Sequence, residues 1–298
     1  MTKIAKTKIA GILNLTPDSF SDGGKYQQFA QARIRLETMI LEGAKMIDIG
    51  AESTRPNAVA VSADEERLRL EFLPNLIKIV QDFNRFNNLS IADRVLTSLD
   101  SYHFENLQWS LSLGVDVVND ISGLENQDII ALIARTKAKT ILMHKDKILP
   151  PATTIINANR HLPEQIYDWA LKKITNLATL GVEKEQLIFD PGIGFGKDAW
   201  QSIVVLRNIA IFRNLDLPIY VGHSKKSFLD KICLFHNQGH NSKNLVKYNT
   251  IPTSQYPAEN KLDRSAKTIA VSKFLIKQNI DWLRVHDVVL HYNLLRSD

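Results

Sequence analysis

Short apolar, β-branched runs alternate with amphipathic segments along the whole of this 298-residue chain. Such runs are typical of buried strands, and eight of them are predicted at Ile9–Asn14, Met46–Gly50, Val95–Asp100, Val115–Asn119, Thr140–His144, Leu187–Asp190, Ile219–Gly222 and Trp282–His286. Strands that alternate with helical segments indicate parallel βα units rather than a β-sandwich or a helical bundle.

Apolar residues between the strands recur at the spacing of one helix face. Three such stripes are predicted: Ala32, Leu36, Met39 and Gly43; Leu68, Phe72, Leu76, Ile79 and Phe83; Ile166, Ala170, Ile174 and Leu177. Each stripe is expected to pack on the sheet.

Eight βα units predict an α/β fold, a (β/α)8 TIM barrel that forms a single domain over residues 1–298, with its active site at the C-terminal ends of the strands. A doubly wound open sheet is the runner-up, but it would normally place a Gly-rich phosphate loop after the first strand, where Asn14–Asp18 has none. The segment from about 236 to 262 is polar and lacks an apolar period. It is predicted as a surface insertion in the seventh βα unit.

The composition narrows the class of protein further. Hydrophobic residues make up 44% of the chain and charged residues 23%, which excludes a disordered chain. No apolar run approaches the roughly 18 residues of a membrane span, and the first residues lack the apolar core of a signal peptide, so a cytoplasmic protein is expected. Cys233 is the single cysteine and cannot form an internal disulfide. The net charge of +5 suits an anionic substrate or a nucleic acid and does not decide between them.

Polar residues follow every predicted strand, at the end where a barrel enzyme places its site. They are Asn14, Glu52 to Arg55, Asp100, Asn119 with Asp120, His144, Asp190, Ser224 with Lys226, and Arg284 with His286. Helix capping accounts for some of them, but this many carboxylates, amides and cations favours a functional mouth.

One half of this ring suits a flat, nitrogen-rich heterocycle. Asp100, Asn119 and Asp190 offer hydrogen-bond donors and acceptors to its edges, and Lys226 can contact a carbonyl. The other half suits a diphosphate, because Arg55, Arg284 and His286 can bind an oxyanion.

Three further features belong to the predicted mouth. Asn14 is a neutral oxygen ligand suited to a hydrated Mg²⁺ that bridges the diphosphate. Ser224–Ser227 is predicted to open a helix directly after a strand, where backbone N–H groups attract anions. The glycine-rich turn Pro191–Lys197 and the long polar loops at residues 16–24 and 52–57 are interpreted as a close-approach turn and two lids.

Eight motifs in order resemble dihydropteroate synthase, of the pterin-binding barrel superfamily: GILNLTPDSFSDGG, GAKMIDIGAESTRP, SLDSY, GVDVVNDISG, LMH, FDPGIGFGK, SKKSF and RVHDV. The resemblance covers nearly all of the chain except the insertion. It implies a transferase of folate biosynthesis that joins 4-aminobenzoate to 6-hydroxymethyl-7,8-dihydropterin diphosphate, with Mg²⁺ as cofactor, and that acts as a homodimer.

The resemblance also implies a role for each matching residue. Those implied to be catalytic are Lys226, Arg284 and Asp100. The pterin would be held by Asp100, Asn119, Met143, Asp190, Lys226 and Arg284. The diphosphate would meet Asn14, Thr54, Arg55, Arg284 and His286, with Asn14 as the metal ligand. The aminobenzoate pocket, which is the family's sulfonamide site, would be lined by Phe20, Pro56, Phe195 and Ser224.

Five positions depart from the family's usual residues: Ala51 and Asn57 replace glycines, Lys225 replaces arginine, Ser202 replaces asparagine and Lys267 replaces glycine. The departures in the loops and the insertion leave open a pterin-binding paralogue with impaired catalysis. A methyltetrahydrofolate-binding methyltransferase domain is a second alternative. A third is a nucleic-acid surface formed by the net charge of +5 and the insertion, but a solvated loop is the preferred interpretation and no nucleic-acid partner is expected.

Overall fold

The computed structural model describes residues 7–16, 25–52, 60–145, 161–235 and 264–296. The described ranges contain eight parallel strands: β1 (Lys8–Asn14), β2 (Met46–Gly50), β3 (Leu96–Asp100), β4 (Val117–Asp120), β5 (Lys139–Met143), β6 (Leu187–Asp190), β7 (Tyr220–Val221) and β8 (Trp282–Val285). They pair in the order β6-β5-β4-β3-β2-β1-β8-β7, and a bridge between Phe189 and Ile219 joins β6 to β7. The predicted TIM barrel is confirmed, with strand ends shifted by one or two residues.

The α-helices on the outside of the barrel are α1 (Lys25–Leu41), α2 (Ala63–Arg69), α3 (Leu73–Phe86), α4 (Phe104–Ser112), α5 (Gln127–Thr136), α6 (Leu162–Thr179), α7 (Ala199–Arg207), α8 (Arg264–Lys277) and α9 (Val288–Arg296). Ala32, Leu36 and Met39 are buried, as predicted for the first stripe. The second stripe is wrong at Leu68, which is 70% exposed. The reason is a break between α2 and α3, so that Leu68 and Phe72 do not share one helix face.

The barrel interior has its own apolar layer, separate from the core between strands and helices. Ala10, Met46, Val117, Ile141, Ile188, Tyr220 and Trp282 form this inner cluster. Because side chains on a strand alternate between two faces, the residue two positions further along each strand also faces inward. On six strands that next position holds Ile12, Asp48, Asn119, Met143, Asp190 and Arg284.

The predicted insertion lies outside the described residues, which end at 235 and resume at 264. Residues on either side of this gap are joined, since Arg264 Nε donates to Asp230 Oδ1 at 2.9 Å. Among the described helices, none is long and apolar enough to cross a membrane.

Candidate active site

Arg284 connects the acidic side chains at the C-terminal end of the barrel. Its Nε lies 2.5 Å from Asp48 Oδ2 and its Nη2 lies 2.6 Å from Asp100 Oδ2. Asn119 Nδ2 donates to the same Asp48 oxygen at 3.1 Å. Strands β2, β3, β4 and β8 therefore present one hydrogen-bonded group of two carboxylates, a guanidinium and an amide.

Burial gives this group unusual proton affinities. It raises the pKa of Asp100 to about 7, since the loss of solvent outweighs the attraction of Arg284. Burial acts to lower the pKa of Arg284, but Asp48 and Asp100 more than compensate and hold that pKa above its ordinary value. The guanidinium therefore stays charged, whereas Asp100 titrates near neutral pH.

Lys226 and Asp190 form the second charged group of the mouth. Lys226 Nζ donates to the carbonyl of Ile193 at 2.5 Å and lies 4.5 Å from the centre of the Phe195 ring. Burial lowers the pKa of Lys226 to about 8, against the opposing effect of Asp190. Burial likewise raises the pKa of Asp190, whose Oδ1 accepts a hydrogen bond from the backbone of Gly192 at 2.7 Å.

The glycine-rich turn after β6 brings the main chain against these side chains. Gly192, Gly194 and Gly196 all have positive φ angles. A Cβ on Gly194 would lie in ordinary van der Waals contact with Lys226 Cδ, at 3.4 Å, so the positive φ of +78° is what favours glycine at this position. The turn therefore lies against Lys226, and its predicted close approach to a ligand stays a prediction.

Ser224 and His286 meet between β7 and β8. Ser224 Oγ lies 3.0 Å from His286 Nδ1 and accepts a hydrogen bond from the backbone N–H of His286 at 3.3 Å. The prediction that Ser224–Ser227 opens a helix is confirmed only at its last residue, because the helix begins at Ser227 and Ser224 lies in the turn before it. Lys225 has a φ of +59°, and the helix that follows is a 3-10 helix at Ser227–Phe235. Ser224 therefore fixes His286 instead of capping a helix.

Four of the family departures lie within the described residues. Lys225 Nζ pairs with Asp287 Oδ2 at 3.0 Å. Ala51, Ser202 and Lys267 are all buried. Ser202 lies in α7 and Lys267 in α8, outside the barrel mouth. None of these four residues is a member of the Asp48–Asp100–Arg284 group, whose ion pairs are present in this chain.

Asn14 ends β1 and is half-buried at the mouth. Its side-chain oxygen faces Gly50, where an added Cβ would lie 3.9 Å away. In the part of the chain that the structure describes, no group of three or more His, Cys, Asp or Glu side chains could hold a metal ion. The neutral oxygen of Asn14 fits a magnesium ion that keeps most of its waters and binds substrate phosphates.

The structure brings together most of the residues that the sequence predicted. Arg284, Asp100, Asn119, Lys226, Phe195, Ser224, His286 and buried Met143 all stand at or next to the C-terminal ends of the strands. Phe20, Thr54, Arg55, Pro56 and Asn57 lie outside the described residues.

Asp48 is the site residue that the sequence analysis missed. It lies inside the apolar run Met46–Gly50 and is fully buried, so it reads as part of a core strand. One signal could have found it. Asp48 lies two positions after the inward-facing Met46, just as Asn119 lies two positions after the inward-facing Val117, so both side chains point into the barrel.

A barrel whose inward-facing carboxylates, amide and cations gather at the C-terminal strand ends has the architecture of a TIM-barrel enzyme with its active site at that end. The family model "Pterin binding enzyme" matches residues 10–286. The dihydropteroate synthase of Synechocystis sp. is 39% identical over 230 residues, which are 76% of this chain and 74% of that protein.

Solved structures that resemble this chain are also dihydropteroate synthases. Dihydropteroate synthase from Anaplasma phagocytophilum with bound 6-hydroxymethylpterin-monophosphate is 35% identical, with a TM-score of 0.78 and 98% of each chain covered. The enzyme from Thermus thermophilus in complex with 4-aminobenzoate is 26% identical, with a TM-score of 0.72 over 99% of this chain and 94% of that one.

The chain therefore belongs to the pterin-binding enzyme family. Within it, this chain groups with the dihydropteroate synthases, which are transferases of folate biosynthesis. These relatives favour a synthase over a methyltetrahydrofolate-binding methyltransferase domain.

Proposed function

We propose that the two charged groups at the C-terminal end of the barrel hold the pterin of a dihydropteroate synthase. The observation that carries this proposal is the network in which Arg284 pairs with both Asp48 and Asp100 while Asn119 binds Asp48. A flat ring with alternating donors and acceptors needs such a set of fixed, buried partners.

Each residue of the network has a distinct part in this proposal. Asp190, Asn119 and Asp100 bind the polar edges of the pterin, and Lys226 donates to its carbonyl. Met143, buried next to Asp190 in the β5–β6 register, packs against the ring. Arg284 covers the ring from β8 and is catalytic together with Lys226 and Asp100.

The diphosphate is proposed to bind at the outer edge of this group. The two ion pairs of Arg284 use the hydrogen of Nε and one hydrogen of Nη2, so both hydrogens of Nη1 and the second hydrogen of Nη2 can donate to phosphate oxygens. His286, fixed by Ser224, donates from its other ring nitrogen. Thr54 and Arg55 are expected to complete the site, and Asn14 is expected to bind Mg²⁺, which would neutralise charge on the leaving diphosphate.

The reaction needs little proton transfer from the protein. The bond between the pterin methylene carbon and the diphosphate oxygen breaks, and the electron-rich pterin stabilises the resulting cation. The aromatic amine of 4-aminobenzoate then forms the new C–N bond and loses a proton. An aromatic amine is a weak nucleophile, so departure of diphosphate first favours the reaction, and the enzyme contributes mainly position and charge.

The aminobenzoate pocket is proposed to lie beside Lys226, between Phe195 and Ser224, with Phe20 and Pro56 as further walls. The ring of Phe195 is placed by its contact with Lys226 Nζ. A sulfonamide that imitates 4-aminobenzoate would compete for this pocket. We also propose that the enzyme works as a cytoplasmic homodimer, as the family resemblance implies; sedimentation at micromolar concentration tests the dimer.

Product formation tests the function. The purified protein should convert dihydropterin diphosphate, 4-aminobenzoate and Mg²⁺ into equal amounts of dihydropteroate and diphosphate. Lys226→Ala should abolish most turnover, whereas Lys226→Arg should keep pterin binding above pH 8, because a guanidinium does not lose its proton there. Pterin binding without either product would favour the impaired paralogue, and near-wild-type turnover in Lys226→Ala would contradict the proposed site.

A further inference from the structure

Lys197 is a buried cation that the proposed chemistry does not use. It ends the glycine-rich turn after β6 and is 7% exposed. Its Nζ lies 2.9 Å from His144 Nδ1, 3.0 Å from the carbonyl of Gly192, 3.2 Å from that of Phe195 and 3.3 Å from that of His144. One ammonium thus bonds to two segments, the end of β5 and the turn after β6.

His144 is held as a neutral hydrogen-bond acceptor in this arrangement. Burial first, and then the charge of Lys197, lower the pKa of His144 to about 2. Because Nδ1 accepts from Lys197, the ring proton belongs on Nε2. The edge-to-face contact with Trp169, at 4.8 Å between ring centres, fixes the ring from its other side.

The two segments are pressed together by backbone as well as by charge. Gly192 has a φ of +69°, and a Cβ at this position would lie 1.8 Å from the carbonyl oxygen of His144. No residue other than glycine fits at position 192 unless one of the two backbone segments moves. The turn is therefore set against His144 at van der Waals distance, with Lys197 bonded to both.

The same turn contacts the side chain of Lys226. The Ile193 carbonyl accepts from Lys226 Nζ, and the Phe195 ring faces the same nitrogen. Both groups lie between Gly192 and Lys197, the two points at which the turn is held. Any movement of the turn changes the position of the Lys226 ammonium and of the Phe195 ring together.

We infer that Lys197 is a positioning residue: it ties the turn after β6 to His144 and so sets Lys226 and Phe195 for the two substrates. This inference rests on the proposed roles of Lys226 and Phe195. It predicts that loss of the Lys197 ammonium weakens both binding of the pterin and use of 4-aminobenzoate, although Lys197 touches neither.

Lys197→Met keeps the aliphatic stem and removes the ammonium. We expect this variant to bind 6-hydroxymethylpterin monophosphate at least tenfold more weakly and to raise the KM for 4-aminobenzoate several-fold. Its ¹⁵N histidine spectrum should lose the hydrogen-bonded Nδ1 signal of His144. Lys139→Met is the matched control, since Lys139 Nζ donates to the Glu185 carbonyl at 2.6 Å from the opposite end of β5. It should leave affinity and KM unchanged.

A folded Lys197→Met protein with wild-type pterin affinity and wild-type KM would overturn the inference. If Lys197→Met does not fold, Lys197→Arg is the second variant. A planar guanidinium cannot converge on all four acceptors, so a threefold or greater loss of pterin affinity is expected, and wild-type affinity would overturn the inference. Lys226→Ala, measured in parallel, separates the two proposals: full activity in Lys226→Ala refutes the proposed site itself.

Discussion

Two groups of polar side chains, one at each end of the barrel, differ in what they bind. At the N-terminal end, Gln186 and Asp281 bind main-chain groups: Gln186 Nε2 donates to the carbonyls of Ile133 and Ala138 at 3.0 Å each, and Asp281 Oδ2 accepts from the backbone of Ile219 at 2.9 Å. At the C-terminal end, Asp48, Asp100 and Arg284 bind mainly to one another. The first arrangement completes the fold, and the second keeps charge available for a ligand.

Arg284→Ala should have the largest effect on activity. It removes the shared partner of Asp48 and Asp100, so we expect kcat/KM for the pterin substrate to fall about 100-fold to 1,000-fold. The control is Arg94→Ala at the other end, where Arg94 pairs with Asp116 at 2.7 Å and its side chain is 42% exposed. Steady-state kinetics of both variants check the contrast, and comparable losses in the two would contradict it.

Gln186→Ala should change stability and leave activity alone. It deprives two carbonyls of their donor in a buried setting, so the free energy of unfolding should drop by about 1–3 kcal/mol. Urea denaturation measures the loss, and the kinetic constants of the folded variant should match the wild type. A strong loss of kcat at full folding would mean that the two ends are not separable.

How much of this contrast is visible in the sequence depends on the residue. The strands are predictable because they are buried on both faces and therefore appear as continuous apolar runs. Asp100, Asn119 and Asp190 are predictable because each of them ends such a run. Asp48 is hidden inside its run. The exposure of Leu68 was also unpredictable, since an unbroken apolar period conceals the break between α2 and α3. The hydrogen bonds of Lys197 were also unpredictable, because they depend on contact between the end of β5 and the turn after β6, which the spacing of residues along the sequence does not show.

Asp100→Asn should stabilise the protein in a pH-dependent way. The pKa of Asp100 is raised from 3.8 to about 7, so its contribution to stability is fully present below pH 3.8 and is lost as the pH rises through 7. The neutral amide avoids that loss, and we expect its melting temperature to exceed that of the wild type by about 2–4 °C at pH 8. The difference in melting temperature between the two proteins should disappear near pH 4. A difference of the same size at pH 4 and pH 8 would refute the raised pKa of Asp100.

Tyr220→Phe should have the smallest effect. The Tyr220 hydroxyl is buried in the inner apolar layer and has no hydrogen-bond partner among the described residues. Its removal should therefore leave stability unchanged or raise it by up to about 1 kcal/mol. Thermal unfolding checks the value, and a clear destabilisation would show that the hydroxyl has a partner of its own.

The central claim is that the charged groups at the C-terminal end are the pterin site. A crystal structure with 6-hydroxymethylpterin monophosphate tests it most directly. The account predicts that the polar edges of the ring lie within hydrogen-bond distance of Asp100, Asn119, Asp190 and Lys226, with the phosphate near Arg284 and His286. A ring bound away from these side chains would contradict the claim.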